Sequence, residues 1–348
     1  MLLKIITDIL LFGLISLILS VGLFYPVTIF AKKFDLMDLP SDRKIHKKAT
    51  PRIGGIMMFA SFIITYALSE KYMYLMPSMS FSKILFAVCL FSAFLLGIVD
   101  DVKGIKAYKK LFIQFLIGLL VAYSGLRFQT ITILSTKIDF GIFSYIITAL
   151  WVVALFNAVN LIDGMDGLAT GIMIIVLSFS LVISVVEQNF FVALLCGILL
   201  GSLAGFYIFN FPPAKIFMGD GGSYFLGCIY AMISLMGMKR TSMAIMIAIP
   251  LVLLLIPIAD TIYIMARRTK RKESVFKADK NHIHHRLLNL GFSARQINAL
   301  VYLVCIALGL IGTLIALTGG KFGLLFFFLI VCLVVAGFAV IRILENKS

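Results

Sequence analysis

The chain has 348 residues, of which 61% are hydrophobic and 14% charged, with a mean hydropathy of +1.09. So much apolar surface cannot be hidden in a soluble core, which excludes a soluble globular domain and predicts an all-α polytopic membrane protein. The net charge of +15 calls for no nucleic acid: cationic loops on one membrane face account for most of it, and anionic lipid or a phosphorylated substrate suits the rest.

Apolar runs bounded by charges or turn residues predict eleven spans, at about 5–31, 54–69, 82–99, 111–125, 142–160, 168–186, 190–208, 223–238, 243–266, 296–317 and 321–341. Most come near the ~20 residues that a helix needs to cross. The first is too long for a signal-peptide core and lacks a small-residue cleavage site, so it is expected to be retained. Spans 54–69 and 223–238 are short, about 24 Å by helical rise, and predict a recessed cleft beside them. Between the fourth and fifth spans, FQTITILSTKIDF alternates polar and apolar residues around Ser135–Thr136 and predicts a short hairpin. The five cysteines stand singly in apolar segments and read as small buried hydrophobes.

With the N-terminus outside, 23 of the 31 Lys and Arg residues fall in inner loops or the tail. The positive-inside rule then gives an N-out, C-in orientation. The whole chain, 1–348, reads as one integral-membrane catalytic domain with cytoplasmic loops at about 32–53, 100–110, 161–167, 209–222 and 267–295. This topology, derived without the motifs, brings Asp100, Asp101, Asp163, Asp166, Asp220 and all four histidines to one face. A single cytoplasmic active-site cleft follows.

Three motifs carry the chemistry. NAVNLIDGMDGLATG spaces Asn157, Asn160, Asp163 and Asp166 at three-residue intervals where an apolar helix ends; GIVDDVKG sets Asp100 and Asp101 at the end of another; NFPPAKIFMGDGGS puts Asp220 in a glycine-rich turn. Carboxylates at the edge of hydrocarbon are costly and tend to mark function. Taken singly, each has a structural reading as a cap, a satisfied amide or a turn. Together with carboxamides they suit a hard divalent cation that takes oxygen ligands and substrate phosphates. Lys110 and Gln114, at i and i+4, share a helix face. Arg43, Lys44, His46 and Arg52 precede Gly54–Gly55, and RRTKRK leads into HIHH at His282–His285, a cationic loop suited to phosphate and sugar hydroxyls. Zinc binding by HIHH lacks a nearby Cys or Glu to support it.

GIVDDVKG, NAVNLIDGMDGLATG, NFPPAKIFMGDGGS and ADKNHIHHRLLNLG, in this order, resemble the polyprenyl-phosphate N-acetylhexosamine-1-phosphate transferases, and among them the bacterial undecaprenyl-phosphate GlcNAc-1-phosphate transferases. The resemblance implies transfer of GlcNAc-1-phosphate from UDP-GlcNAc to undecaprenyl phosphate with release of UMP. This is the first membrane step of cell-envelope polysaccharide or teichoic acid synthesis, at the bacterial cytoplasmic membrane. It implies Mg²⁺, with Mn²⁺ as a substitute, held by Asp220 with Asp100 and Asp101 close by. Asp100, Asp101, Asp163 and His284 are the implied catalytic residues. Asn160, Asp166, Asn210 and Phe217 match positions that hold uridine, and Lys44 and Lys110 those that hold phosphate. His282 and His285 match sugar and diphosphate contacts, with Asn157 and Arg268 also among the substrate-binding residues. A lipid phosphate has a second pKa of about 6 and is largely ionised at pH 7, which favours direct attack, with a covalent aspartyl intermediate left open. Anionic lipids are expected partners and a homodimer stays open. The alternatives are another UDP-HexNAc donor or a proton-coupled transporter.

Overall fold

The computed structural model describes residues 2–39, 49–70, 82–133, 136–238, 287–288 and 290–317. Ten helices occupy these segments: α1 (Leu2–Gly22), α2 (Phe24–Lys33), α3 (Gly55–Leu68), α4 (Lys83–Lys103), α5 (Ala107–Tyr123), α6 (Phe143–Ile162), α7 (Leu168–Val186), α8 (Phe190–Asn210), α9 (Gly219–Met238) and α10 (Ala294–Leu317). Nine of the eleven predicted spans fall on them; 243–266 and 321–341 lie outside the described residues. Among those residues, six segments are long and apolar enough to cross a membrane, the first being α1 and α2 together. The chain is a multi-pass membrane protein.

The departures from the predicted elements have local causes. The first span is interrupted at Leu23, because Pro26 has no N–H to offer the carbonyl four residues earlier. Two short antiparallel ladders qualify the all-α expectation. Residues Met37–Asp38 (β1) pair with Thr50–Pro51 (β2), clasping the ends of a loop expected to be irregular. Thr130–Ile133 (β3) pairs with Thr136–Asp139 (β4), the hairpin that the alternating pattern predicts. Helix α9 starts at Gly219, four residues before the expected span, so it is about 30 Å long by helical rise and not short. The helices on either side of the 100–110 loop extend into it and leave 104–106 as the turn.

Helix α8 is the centre of the bundle: 78% of its apolar window is buried, against 22% for the first span. Gly197, Gly201 and Gly205 let α1 approach so closely that a Cβ at Gly201 would collide with the Gly13 carbonyl. Such contacts replace the hydrophobic driving force that lipid does not supply. On the other flank α9 packs against α4 and α6, and α5 packs against α6. The C-terminal ends of α4 and α6 and the N-terminal ends of α5 and α9 therefore meet at one end of the bundle.

Candidate functional site

The site grows from the way α9 begins. The first N–H groups of a helix have no partner inside it and attract a carboxylate. For α9 that carboxylate comes from α4: Asp101 Oδ1 accepts from the Asp220 backbone N–H at 3.0 Å and Oδ2 from that of Gly221 at 3.0 Å. Arg52 Nη2 donates to the same Oδ1 at 2.8 Å. The Asp101 side chain is 1% exposed. Both oxygens of Asp101, which the sequence places among the catalytic and metal-binding carboxylates, are thus engaged, and they hold the backbone at Asp220. Glycines make this approach possible. A Cβ at Gly97 would strike the Asp220 carbonyl, one at Gly55 would strike Gly222, and Gly219, at φ +72°, lies against the Arg52 carbonyl.

Asp220, so fixed, faces Asp100. Asp100 is buried and accepts from the Ile105 N–H at 2.7 Å through Oδ1, which closes the α4–α5 turn. Its Oδ2 accepts from the Tyr224 hydroxyl at 2.9 Å and forms an ion pair with Lys110 Nζ at 2.5 Å. Lys110 Nζ also lies 4.0 Å from Asp220 Oδ2. Asn160 Nδ2 donates to Asp220 Oδ1 at 2.8 Å and to Ser223 Oγ at 3.1 Å. Asp220 keeps about a quarter of its side chain exposed, 26%, and its Oδ2 is the carboxylate oxygen of this cluster least occupied by donors. An oxygen-only set of two facing carboxylates, one of them accessible, fits a hard divalent cation that completes its shell with substrate phosphate. No group of three or more acidic, His or Cys side chains suited to a metal occurs among the described residues.

One helical turn along α5 and α6, Asn157 Nδ2 donates to Gln114 Oε1 at 2.9 Å and to the Val153 carbonyl at 2.7 Å. Gln114 thus points inward, as its spacing from Lys110 predicts. Asn157 supports the wall under Asn160.

Two loops form the rest of the cleft, 163–167 after α6 and 211–218 after α8. Asp163 caps the end of α6 and is half-buried. Desolvation, then the negative fields of Asp220, Asp101 and Asp166, raise its carboxyl well above the usual carboxylate range. Asp166 Oδ2 accepts from the Ala214 N–H at 2.9 Å, bridging the two loops. Asn210 is only 2% exposed. It accepts from the Gly167 N–H at 3.1 Å and the Thr170 hydroxyl at 2.8 Å, and donates to the Ile216 carbonyl at 2.9 Å. Its amide therefore ties the two loops together. Phe217 is half-buried at the cleft, its backbone held between the Pro51 carbonyl and the Gly54 N–H at 2.8 and 2.9 Å.

The structure thus brings together Asp100, Asp101, Lys110, Asn157, Asn160, Asp163, Asp166, Asn210, Phe217 and Asp220 from segments up to 120 residues apart. Lys44, Arg268, His282, His284 and His285 lie outside the described residues. Sequence reasoning gives no specific role to Arg52 and overlooks Ser223 and Tyr224. Tyr224 carries a readable signal, since a tyrosine four residues after Asp220 shares its helix face.

This constellation defines a membrane-protein site of facing carboxylates with a lysine beside them. The sequence profile described as glycosyl transferase family 4 matches residues 83–238, the segment that supplies nearly all of these groups. The chain is 36% identical over 276 residues, 79% of its length and 75% of the relative's, to a Bacillus subtilis (strain 168) protein named "Probable undecaprenyl-phosphate N-acetylglucosaminyl 1-phosphate transferase". It is 29% identical over 318 residues to the decaprenyl-phosphate N-acetylglucosaminephosphotransferase of Mycobacterium tuberculosis (strain H37Rv), covering 84% of this chain and 78% of that one. It is also 29% identical over 309 residues to the undecaprenyl-phosphate alpha-N-acetylglucosaminyl 1-phosphate transferase of Escherichia coli (strain K12), covering 85% and 82%. The chain belongs to glycosyl transferase family 4, among its polyprenyl-phosphate sugar-1-phosphate transferases. Nothing supports the transporter alternative.

Proposed function

We propose that the protein transfers GlcNAc-1-phosphate from UDP-GlcNAc to undecaprenyl phosphate on the cytoplasmic side of the bacterial inner membrane, releasing UMP. An oxygen of the lipid phosphate forms a bond to the sugar-bearing phosphorus of the donor. The bond from that phosphorus to the bridging oxygen breaks, and UMP leaves with both electrons. The observation that carries this reading is the facing pair Asp100–Asp220 with Lys110 beside both carboxylates, in a chain whose relatives are named as polyprenyl-phosphate sugar-phosphate transferases.

Donor and acceptor bring several negative charges together, so the site must offset them. Mg²⁺, held by Asp220 and Asp100, would supply positive charge at the donor diphosphate. Lys110 neutralises a phosphate oxygen and orients Asp100. Asn160 fixes the rotamer of Asp220, and Asp101 with Arg52 fixes its backbone. The lipid phosphate needs no general base once it is ionised, and Asp100 positions it. Asp163 and Asp166 face the donor, with Phe217 beside the uracil. Lys44, Arg268 and the His282, His284 and His285 loop complete the phosphate and sugar contacts in this reading, and the cationic loops rest on anionic lipid.

The test uses purified protein, undecaprenyl phosphate and a panel of UDP-sugars, with and without chelator. UDP-GlcNAc should be the preferred donor, chelator should abolish turnover, and Mg²⁺ or Mn²⁺ should restore it. Asp220→Asn should lower kcat at least about a hundredfold, the scale for losing a stabilising group at the developing charge, while folding normally. Full turnover in chelator would remove the cation from the mechanism, and preference for another UDP-sugar would change the donor.

A further inference from the structure

Helix α10 contributes no residue to the acidic cluster, yet its first three turns are bonded to both loops that carry the cleft. Its start is fixed by a reciprocal cap: Ser293 Oγ accepts from the Gln296 N–H at 3.3 Å and Gln296 Oε1 accepts from the Ser293 N–H at 2.8 Å. Arg295, Asn298 and Tyr302 then follow at i, i+3 and i+7, one face of the helix. Arg295 Nε donates to the Pro212 carbonyl at 3.0 Å, and its guanidinium lies 5.4 Å from the Phe211 ring centre. Asn298, 2% exposed, donates to the Asp166 carbonyl at 2.8 Å. The Tyr302 hydroxyl donates to the Gly167 carbonyl at 2.6 Å. The Tyr207 hydroxyl is 3.2 Å from that of Tyr302 and serves as its donor.

We propose that Arg295, Asn298 and Tyr302 are positioning residues that staple the 163–167 and 211–218 loops in the geometry required to receive the nucleotide end of the donor. Asp166 and Gly167 are then gripped from two sides. Their carbonyls are held by α10, while the Asp166 carboxylate is held by Ala214 and the Gly167 N–H by Asn210. The Gly167 backbone has φ +73°, a left-handed conformation with little steric preference of its own in glycine, so the surrounding bonds must define it. None of the three side chains contacts Asp100, Lys110 or Asp220. Their effect should therefore fall on donor binding and not on the acceptor.

The inference rests on the proposed function for its kinetic arm, and a second arm is independent of activity. In detergent-solubilised full-length protein, Tyr302→Phe and Asn298→Ala should each raise KM for UDP-GlcNAc about three- to tenfold, the scale of one lost net hydrogen bond. KM for undecaprenyl phosphate should stay within about twofold. Amide hydrogen exchange across residues 163–168 should rise in both variants, and Leu303→Ala, on the exposed face of the same helix, should change neither quantity. If Asn298→Ala fails to fold, Tyr302→Phe, which removes one oxygen, still decides the matter. Unchanged exchange in Tyr302→Phe would overturn the staple, and so would a rise in exchange with both KM values moving together. A wild-type protein that transfers from no UDP-sugar would instead sink the proposed function, leaving the exchange result to speak for the staple alone.

Discussion

Asp100 and Asp101 are neighbours in sequence with opposite duties, and helix geometry is the reason. Successive side chains on a helix point about a quarter-turn apart or more, so one carboxylate turns to Lys110 and Tyr224 while the other turns to the start of α9. A buried carboxylate that holds two backbone N–H groups and an arginine is costly to neutralise. Asp101→Ala should therefore destabilise the protein by about 3 kcal/mol, from a lost cap and a broken buried ion pair. Arg52→Ala, which leaves both backbone donors in place, should cost about 1 kcal/mol. Thermal unfolding in detergent would rank them, and an equal effect would mean that the ion pair, not the cap, is the main interaction. Asp163 supports a second expectation. Its carboxyl titrates above the usual range, so it retains a proton at pH values where an ordinary aspartate has lost one. A divalent cation in the cluster favours the ionised form, so binding should release that proton. Apparent Mn²⁺ affinity should then rise with pH until the shifted pKa is passed and flatten above it. Titration calorimetry in buffers of different protonation enthalpy would detect the proton, and Asp163→Asn should remove that share of the pH dependence.

At the scale of elements, the site depends on how closely α3, α4 and α9 approach, and glycine sets that distance. Gly97→Ala would drive a methyl group into the Asp220 carbonyl, an overpacking that costs about 1–3 kcal/mol. Because it displaces the start of α9, turnover should fall by about a hundredfold, the scale of a 1 Å misplacement. Stability lowered with kcat intact would show that Asp220 tolerates the shift. The same helices show how much the sequence reveals. Helix α7 runs over Leu168–Val186, where the apolar run predicts it, because hydropathy and its bounding turns are local signals. The start of α9 is not legible: its capping carboxylate lies 119 residues away, and a glycine-rich GDGG reads locally as a turn. For the same reason the bonds that Asn210 makes to Gly167, Thr170 and Ile216 are not legible in NFPPAKIF. The α10 staple is hidden too, since Asn298 and Tyr302 grip backbone carbonyls that any sequence would provide. By contrast, Asn157 and Asn160 show that the end of α6 is polar, because residues at i and i+3 are neighbours on a helix surface.

For the whole molecule, the cluster and the charge asymmetry make one joint demand. Arg52, Lys103, Lys106, Lys109, Lys110 and Lys215 stand at the end of the bundle that holds the acids, and Lys137 and Arg127 at the other. A charge excess near helix ends is retained on the cytoplasmic side, so the acidic end is expected to face inward, where the proposed function puts its nucleotide-sugar donor. Cysteine substitutions give a direct reading. Lys103→Cys and Lys215→Cys, at exposed turns beside the cleft, should react with a membrane-impermeant thiol reagent in inverted vesicles and stay unlabelled in intact cells. Ile142→Cys, at the hairpin end and 78% exposed, should do the reverse. Four of the five native cysteines, Cys89, Cys196, Cys228 and Cys305, are buried and should add little background; Cys332, outside the described residues, would be replaced by serine in every variant. Labelling of Lys103→Cys from outside would invert the orientation and separate the acidic cluster from the cytoplasmic donor. Labelling of Lys103→Cys and Lys215→Cys from opposite faces would contradict the bundle itself, because α4 and α9 could not then meet through Asp101 and Asp220.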